Sequence, residues 1–139
     1  MNYLIDTNVI SELRKGVRAD PRVVAWFAGL ASEEVFLSAL TLGEIRRGIE
    51  SIRRRDPKSA GVLESWLGRV ADQHRDRVIP VDQAIAEEWG RMNVPDPLPV
   101  IDGLLAATAM VLGLTLATRN TADIERSGVT CVNPFVPQT

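Results

Sequence analysis

Tyr3-Leu4-Ile5-Asp6-Thr7-Asn8-Val9-Ile10 places an acid directly after a short apolar run. Tyr3-Leu4-Ile5 predicts a short buried strand, with Asp6-Thr7-Asn8 at its C-terminal end and a short helix over residues 9–14. The same succession recurs along the chain. Val35-Phe36-Leu37-Ser38 predicts a second strand, followed by a helix over residues 41–54 with Leu42, Ile45, Ile49 and Ile52 at helical spacing. Val78-Ile79-Pro80-Val81 predicts a third strand, Thr115-Leu116-Ala117 a fourth, and Val129-Thr130-Cys131-Val132 a fifth.

Helices fill the intervals. Asp20-Pro21 pairs an N-cap aspartate with proline at the first helical position, ahead of the stripe Val23, Val24, Trp26, Phe27 and Leu30. Residues 59–73 carry Val62, Leu63, Trp66, Leu67 and Val70, and Asp82 caps a helix bearing Ile85, Ala86 and Trp89. Residues 93–99 hold three prolines and predict a loop. Residues 100–112 are apolar apart from Asp102 and Thr108, so this helix is expected to be buried. Strands alternating with helices call for a mainly parallel sheet covered on both faces, a three-layer α/β/α sandwich in one domain over residues 1–139.

Composition narrows the function classes. Hydrophobic residues make up 45% and charged residues 24%, as in ordinary globular chains. A net charge of −2 argues against a generic basic nucleic-acid coat. Lys15 and Lys58 are the only lysines among 16 basic residues. Cys131 is the only cysteine, which excludes an intramolecular disulfide and fits a reducing cytoplasm. The N-terminal residues read as neither signal peptide nor membrane span. His74 is the only histidine, so a two-histidine nuclease mechanism is excluded; it is expected at the surface. No phosphate loop or nucleophile elbow occurs.

The acids carry the chemistry. In a parallel α/β sheet ligands bind outside the C-terminal strand ends. Asp6 ends the first strand, Glu44 lies in the first turn after the second, Asp102 in the first turn of the buried helix, and Asn120 and Asp123 follow the fourth strand. Local alternatives exist: Thr41 and Glu44 form a capping-box pair, Asp102 suits a helix N-terminus, Asn120 and Asp123 suit a cap, and Asp6 suits the start of the first helix. Clustered carboxylates stay ionised together only with a cation, and hard oxygen donors suit Mg2+ or Mn2+. Such a site serves phosphoryl chemistry. Arg46, Arg47, Arg53, Arg54 and Arg55 follow Glu44 and fit either a solvated face or contacts to RNA phosphates; Arg119 joins Arg46 and Arg47 as a candidate RNA contact.

Leu4-Ile5-Asp6-Thr7-Asn8-Val9-Ile10, the segment from Leu37 through Glu44 to Gly48, Asp102-Gly103-Leu104-Leu105-Ala106-Ala107-Thr108-Ala109, and Ala117-Thr118-Arg119-Asn120 with Val132-Asn133-Pro134-Phe135 resemble, in order, the motifs of PIN-domain proteins. The VapC/FitB type, toxins of type II toxin–antitoxin pairs, is the most similar. The resemblance implies Mg2+- or Mn2+-dependent RNA cleavage, with transfer RNA a common target, and products bearing 5′-phosphate and 3′-hydroxyl ends. It also implies a homodimer, inhibition by a VapB-like antitoxin, contact with operator DNA only through that antitoxin, and no membrane association. By motif Asp6, Glu44 and Asp102 match the metal-binding acids. The fourth position, often aspartate, is Asn120 here, with Asp123 as a substitute three residues on. Thr7, Asn8 and Thr118 would orient the carboxylates. Trp26, Phe27, Trp66 and Leu67 would offer a groove for an antitoxin helix. The departure at Asn120 keeps a second reading open, a catalytically weakened PIN-fold binding module. A receiver-like phosphoryl-transfer protein ranks last, since no lysine follows the fourth or fifth strand.

Overall fold

The computed structural model describes residues 1–138. Five strands run in one parallel sheet: β1 (Tyr3–Ile5), β2 (Val35–Ser38), β3 (Val78–Ile79), β4 (Thr115–Ala117) and β5 (Cys131–Val132). Their spatial order is β3-β2-β1-β4-β5. The chain therefore builds outward from β1 to β3, then returns to the other side of β1 to lay down β4 and β5. That reversal makes the β1/β4 boundary the topological switch point, where the helices leaving the two strands diverge and open a crevice.

Seven α-helices cover the sheet: α1 (Thr7–Leu13), α2 (Pro21–Ala28), α3 (Ala39–Arg53), α4 (Pro57–Gln73), α5 (Gln83–Met92), α6 (Val100–Leu112) and α7 (Thr121–Glu125). Alternation along each strand divides the core between the two faces. Ile5 and Ala117 pack with Val9, Val23, Ile45, Ile49 and Leu67 beneath α1 to α4. Leu4 and Leu116 pack with Leu105, Ala106, Ala109 and Ile124 beneath α6 and α7. Each fully buried leucine or isoleucine contributes roughly 1.5–3 kcal/mol.

Caps fix the helix starts. Asp20 accepts from the Arg22 amide at 2.9 Å and Asp82 from that of Ile85 at 2.9 Å. α4 starts two residues before the expected 59, because Asp56 is its N-cap and Pro57 its first residue. α3 also starts two residues early: Ser38, not Thr41, is the cap, accepting from the Leu40 amide at 3.0 Å. Glu44 is thereby released from the expected capping box. β3 and β5 are each two residues long, shorter than the sequence suggests. Pro80 has no N–H with which to extend β3.

α6 agrees with its expected span and is the most apolar helix of the chain. Its one interior hydroxyl, on Thr108, donates to the Leu104 carbonyl at 2.7 Å. Gly113 ends it in the left-handed conformation with φ of 66°, where the Leu114 amide turns back to the Ala109 carbonyl. Gly103 lets α5 approach: a Cβ there would stand 3.1 Å from two atoms of the Trp89 indole.

This packing predicts a contrast between two helical glycines. Gly68 in α4 has nothing within 4 Å of a built Cβ, so Gly68→Ala should raise the melting temperature by about 2–4 °C. Gly103→Ala should give no gain, its helix-propensity benefit offset by displacement of Trp89. Equal gains in thermal melts of the two variants would refute the packing account.

Candidate active site

Asp6 sits at the β1/β4 boundary, the topological switch point. The strand register pairs Ile5 with Ala117, so Asp6 and Thr118 leave the sheet side by side, and the Asp6 amide donates to the Ala117 carbonyl at 2.9 Å. Asp6 is 4% exposed. A buried carboxylate needs hydrogen-bond donors, and three surround it. Oδ1 accepts from the Thr7 amide at 2.6 Å. Oδ2 accepts from Thr118 Oγ1 at 2.7 Å and from Asn8 Nδ2 at 3.3 Å. Asp6 is thus the N-cap of α1, as its sequence position allowed, and the centre of a polar cluster spanning two strands.

Glu44 joins through Thr7, whose Oγ1 donates to Glu44 Oε1 at 2.5 Å. Asp102, half-buried in the first turn of α6, comes from the opposite layer. Burial pushes the Asp6 carboxyl above the ordinary carboxylate range, against the lowering effect of its Thr118 and Thr7 hydrogen bonds, and the Asp102 and Glu44 charges push it further. Asp102 is raised first by burial, then by Glu44 and Asp123. The charges of Asp102 and Glu44 thus bear on Asp6, and those of Glu44 and Asp123 on Asp102. Among the described residues none of these four forms an ion pair.

The fourth corner divides between backbone and side chain. Asn120 is exposed and is the N-cap residue of α7, but its side chain caps nothing; its amide donates to Thr118 Oγ1 at 3.0 Å. Asp123, in the first turn of α7, bears on Asp102 by charge. Thr118 thus accepts from the Asn120 amide and donates to Asp6, holding the loop after β4 against β1.

Other expectations shift. Arg46 pairs with Glu50 at 3.3 Å and Glu64 at 3.2 Å, and Arg53 engages the same two acids, fastening α3 to α4. Arg47 is exposed. His74, expected at the surface, is half-buried at the end of α4 with Nδ1 2.8 Å from the Val70 carbonyl. Sequence reasoning missed Glu12, which is 7% exposed and accepts from the Asp20 amide at 2.8 Å and Lys15 Nζ at 3.0 Å. Lys15 holds its carboxyl below the usual range. The available signal was its position one helical turn beyond Asn8, on the same face of α1.

A parallel α/β/α sandwich with an acidic crevice at its switch point defines a class of proteins suited to phosphate chemistry beside a cation. The chain belongs to the PIN-domain family, whose match spans residues 3–127. It is similar to Toxin FitB of Neisseria gonorrhoeae, with 34% identity over 95% of this chain and 97% of that protein. It is also similar to the VapC ribonuclease Y4jK of Sinorhizobium fredii, with 32% identity over 96% and 98%. Among solved structures, FitAB bound to an IR36 DNA fragment superposes with a TM-score of 0.89 at 31% identity, covering 99% of this chain and 98% of that one. FitAcB from Neisseria gonorrhoeae gives a TM-score of 0.88 at 33% identity, covering 96% and 98%.

The charge field predicts a pH signature in metal-free protein. A carboxyl raised by folding contributes stability that is full below its unfolded pKa of about 4 and is lost as pH rises through the native value. At neutral pH ionised Asp102 therefore weakens the fold. In EDTA, Asp102→Asn should melt above the parent at pH 7, with the difference closing toward pH ~4. Thermal melts across that range check it; a variant melting at or below the parent at pH 7 contradicts the assignment.

Proposed function

We propose that this protein is a divalent-metal-dependent endoribonuclease, the toxin of a type II toxin–antitoxin pair. One observation carries the reading: the buried Asp6 carboxylate is hydrogen-bonded by Thr7, Asn8 and Thr118, lies in the field of Glu44 and Asp102, and has no cationic side chain paired with it among the described residues. The relatives named toxin and ribonuclease support it.

The donor set fits a hard cation, being oxygen throughout. Among the described residues no three acids, histidines or cysteines stand close enough to enclose an ion alone. Mg2+ characteristically retains several waters and binds through one or two carboxylates plus substrate phosphates. Asp6, Glu44 and Asp102 would hold the ion, with Asp123 the nearest further charge. When bound, the ion supplies a water of lowered pKa and offsets charge on the phosphate oxygens. The chain's own groups set the geometry: Thr118 and Asn8 fix the Asp6 carboxylate plane, and Thr7 locks Glu44 to the α1 start. Cleavage at the 3′ oxygen leaves a 5′-phosphate and a 3′-hydroxyl.

A VapB-like antitoxin belongs to the same reading. A cavity of about 480 Å³ lies between α1, α2 and α4, lined by Ile10, Leu13, Phe27, Leu30, Trp66 and Val70. Trp66 and Arg14 also line a second, of about 180 Å³, that reaches Thr7 and Glu44. An apolar helix seated in the first would carry its continuing chain toward the acids, where an arginine would find unpaired carboxylates. Of the expected groove residues Phe27 and Trp66 line it; Trp26 packs edge-on against Tyr3 at 5.2 Å and Leu67 is buried in the core. The FitAB complex with DNA supports operator contact through the antitoxin. The exposed run Met110, Val111 and Leu112 supports a homodimer.

Asp6→Asn should reduce RNA cleavage by roughly a hundredfold or more and melt at or above the parent, and EDTA should silence the parent. Full-rate cutting by either would sink the metal mechanism. Calorimetric titration with Mg2+ separates the enzyme from a binding module, which has no use for the ion.

The antitoxin reading predicts a genetic result as well. Expression of this chain alone should arrest growth, and its operon neighbour should relieve the arrest. Leu30→Glu should keep the arrest but escape relief; relief of Leu30→Glu equal to that of the parent would exclude the groove.

A further inference from the structure

Arg119 is held unlike the other arginines near the site. Its amide donates to Asn8 Oδ1 at 3.2 Å and its carbonyl accepts from Asn133 Nδ2 at 3.5 Å, so its backbone is fixed beside Thr118. Its guanidinium carbon lies 3.7 Å from the centroid of the Phe135 ring. Phe135 is 7% exposed, and its amide is anchored on Asn133 Oδ1 at 2.9 Å. An edge of the guanidinium stands 3.9 Å from Glu12 Oε1, a carboxylate already immobilised by Lys15 and the Asp20 amide. Yet the Arg119 side chain is 55% exposed. The guanidinium carbon sits over an aromatic ring, one nitrogen lies near a fixed acid, and solvent access remains.

An exposed arginine ordinarily loses rotamer freedom when a ligand immobilises it. Phe135 and Glu12 have already imposed that order. Arg46 and Arg53, by contrast, direct their N–H edges into Glu50 and Glu64. A planar cation over a ring is a stacking surface for an unpaired base, and the backbone amide of this one bonds to Asn8, which touches Asp6.

Resting on the ribonuclease reading, we infer that Arg119, set in place by Phe135 and Glu12, is the platform on which an unpaired base flanking the scissile phosphate stacks. Arg119 then touches substrate, while Phe135 and Glu12 act through it as positioning residues. Point-charge contact with a phosphate would need only the cation; stacking needs the plane.

The test uses the full chain carrying Asp102→Asn, so that RNA is bound without being cut. The probe is a short single-stranded RNA with adenines replaced by 2-aminopurine, whose fluorescence falls on stacking. Binding should quench it. Arg119→Lys and Arg119→Ala should each abolish the quench and weaken binding by about tenfold, within the range for one stacked base. In the cleavage-competent parent background, both should raise KM by a similar factor with little change in kcat. Normal quench and affinity in Arg119→Lys with loss in Arg119→Ala would overturn stacking in favour of a phosphate contact. No effect of either, or no RNA binding, would also overturn it. If the parent binds with an Arg119-dependent quench but cuts no RNA, the platform stands and the ribonuclease reading fails.

Discussion

A carboxylate that is 4% exposed must be surrounded by donors, and the register between β1 and β4 provides them for Asp6. Leaving the ionised group unsatisfied would cost several kcal/mol. The pairing of Ile5 with Ala117 makes Thr118 the next residue across, and its hydroxyl closes on Asp6. A one-residue slip would reverse every inward side chain on a strand buried on both faces. It would also withdraw that hydroxyl. Core packing and site geometry are therefore fixed by the same register.

The rest of the site follows from that alignment. Asp6 starts α1, and α1 carries Asn8 and Glu12 on one face; Thr7 in its first turn reaches Glu44 across to α3. From the other layer, the alanines of α6 lie tight on Leu4 and Leu116, and Gly103 admits Trp89 closely enough to seat the start of that helix. The acids thus arrive from both sides of the sheet at its one open boundary. Their repulsion opposes folding, and it persists because the packed sheet determines their positions more strongly than the charges can resist.

Much of this was legible in the sequence. Short apolar runs marked β1, β2 and β4, the proline-rich segment marked the entry to α6, and acids recurring after strands marked the rim. The strand order was not, because parallel alternation is compatible with several orders and nothing local records which neighbour a strand chooses. The switch point, and hence the reason Asp6 faces Thr118, waited on the fold. Local pattern also misled at Glu44: Thr41 and Glu44 have capping-box spacing, but Ser38 caps the helix first. Thr41 lies instead in the first turn of α3, fully buried. Lys15 is a local partner of Glu12, but Asp20 and Arg119 come from a loop and from a distant strand end, so its link to the site was silent. Asn120 stands where the resembling family often has an aspartate; Asp123, one helical turn on, is the further charge that bears on Asp102.

The chain's net charge of −2 sets a last constraint on how it would meet a polyanion. A broad basic surface is absent from its composition, and Arg46 and Arg53 are committed to holding α3 on α4. On the proposed reading, RNA is attracted only where the acids have acquired a cation, with Arg119 ordering the neighbouring strand. On the same reading the unpaired carboxylates would also serve inhibition: a partner's arginine delivered along the groove past Trp66 and Arg14 would neutralise them in place of the ion. One uncompensated set of acids would then account for both states, taking a hydrated ion in one and a guanidinium in the other.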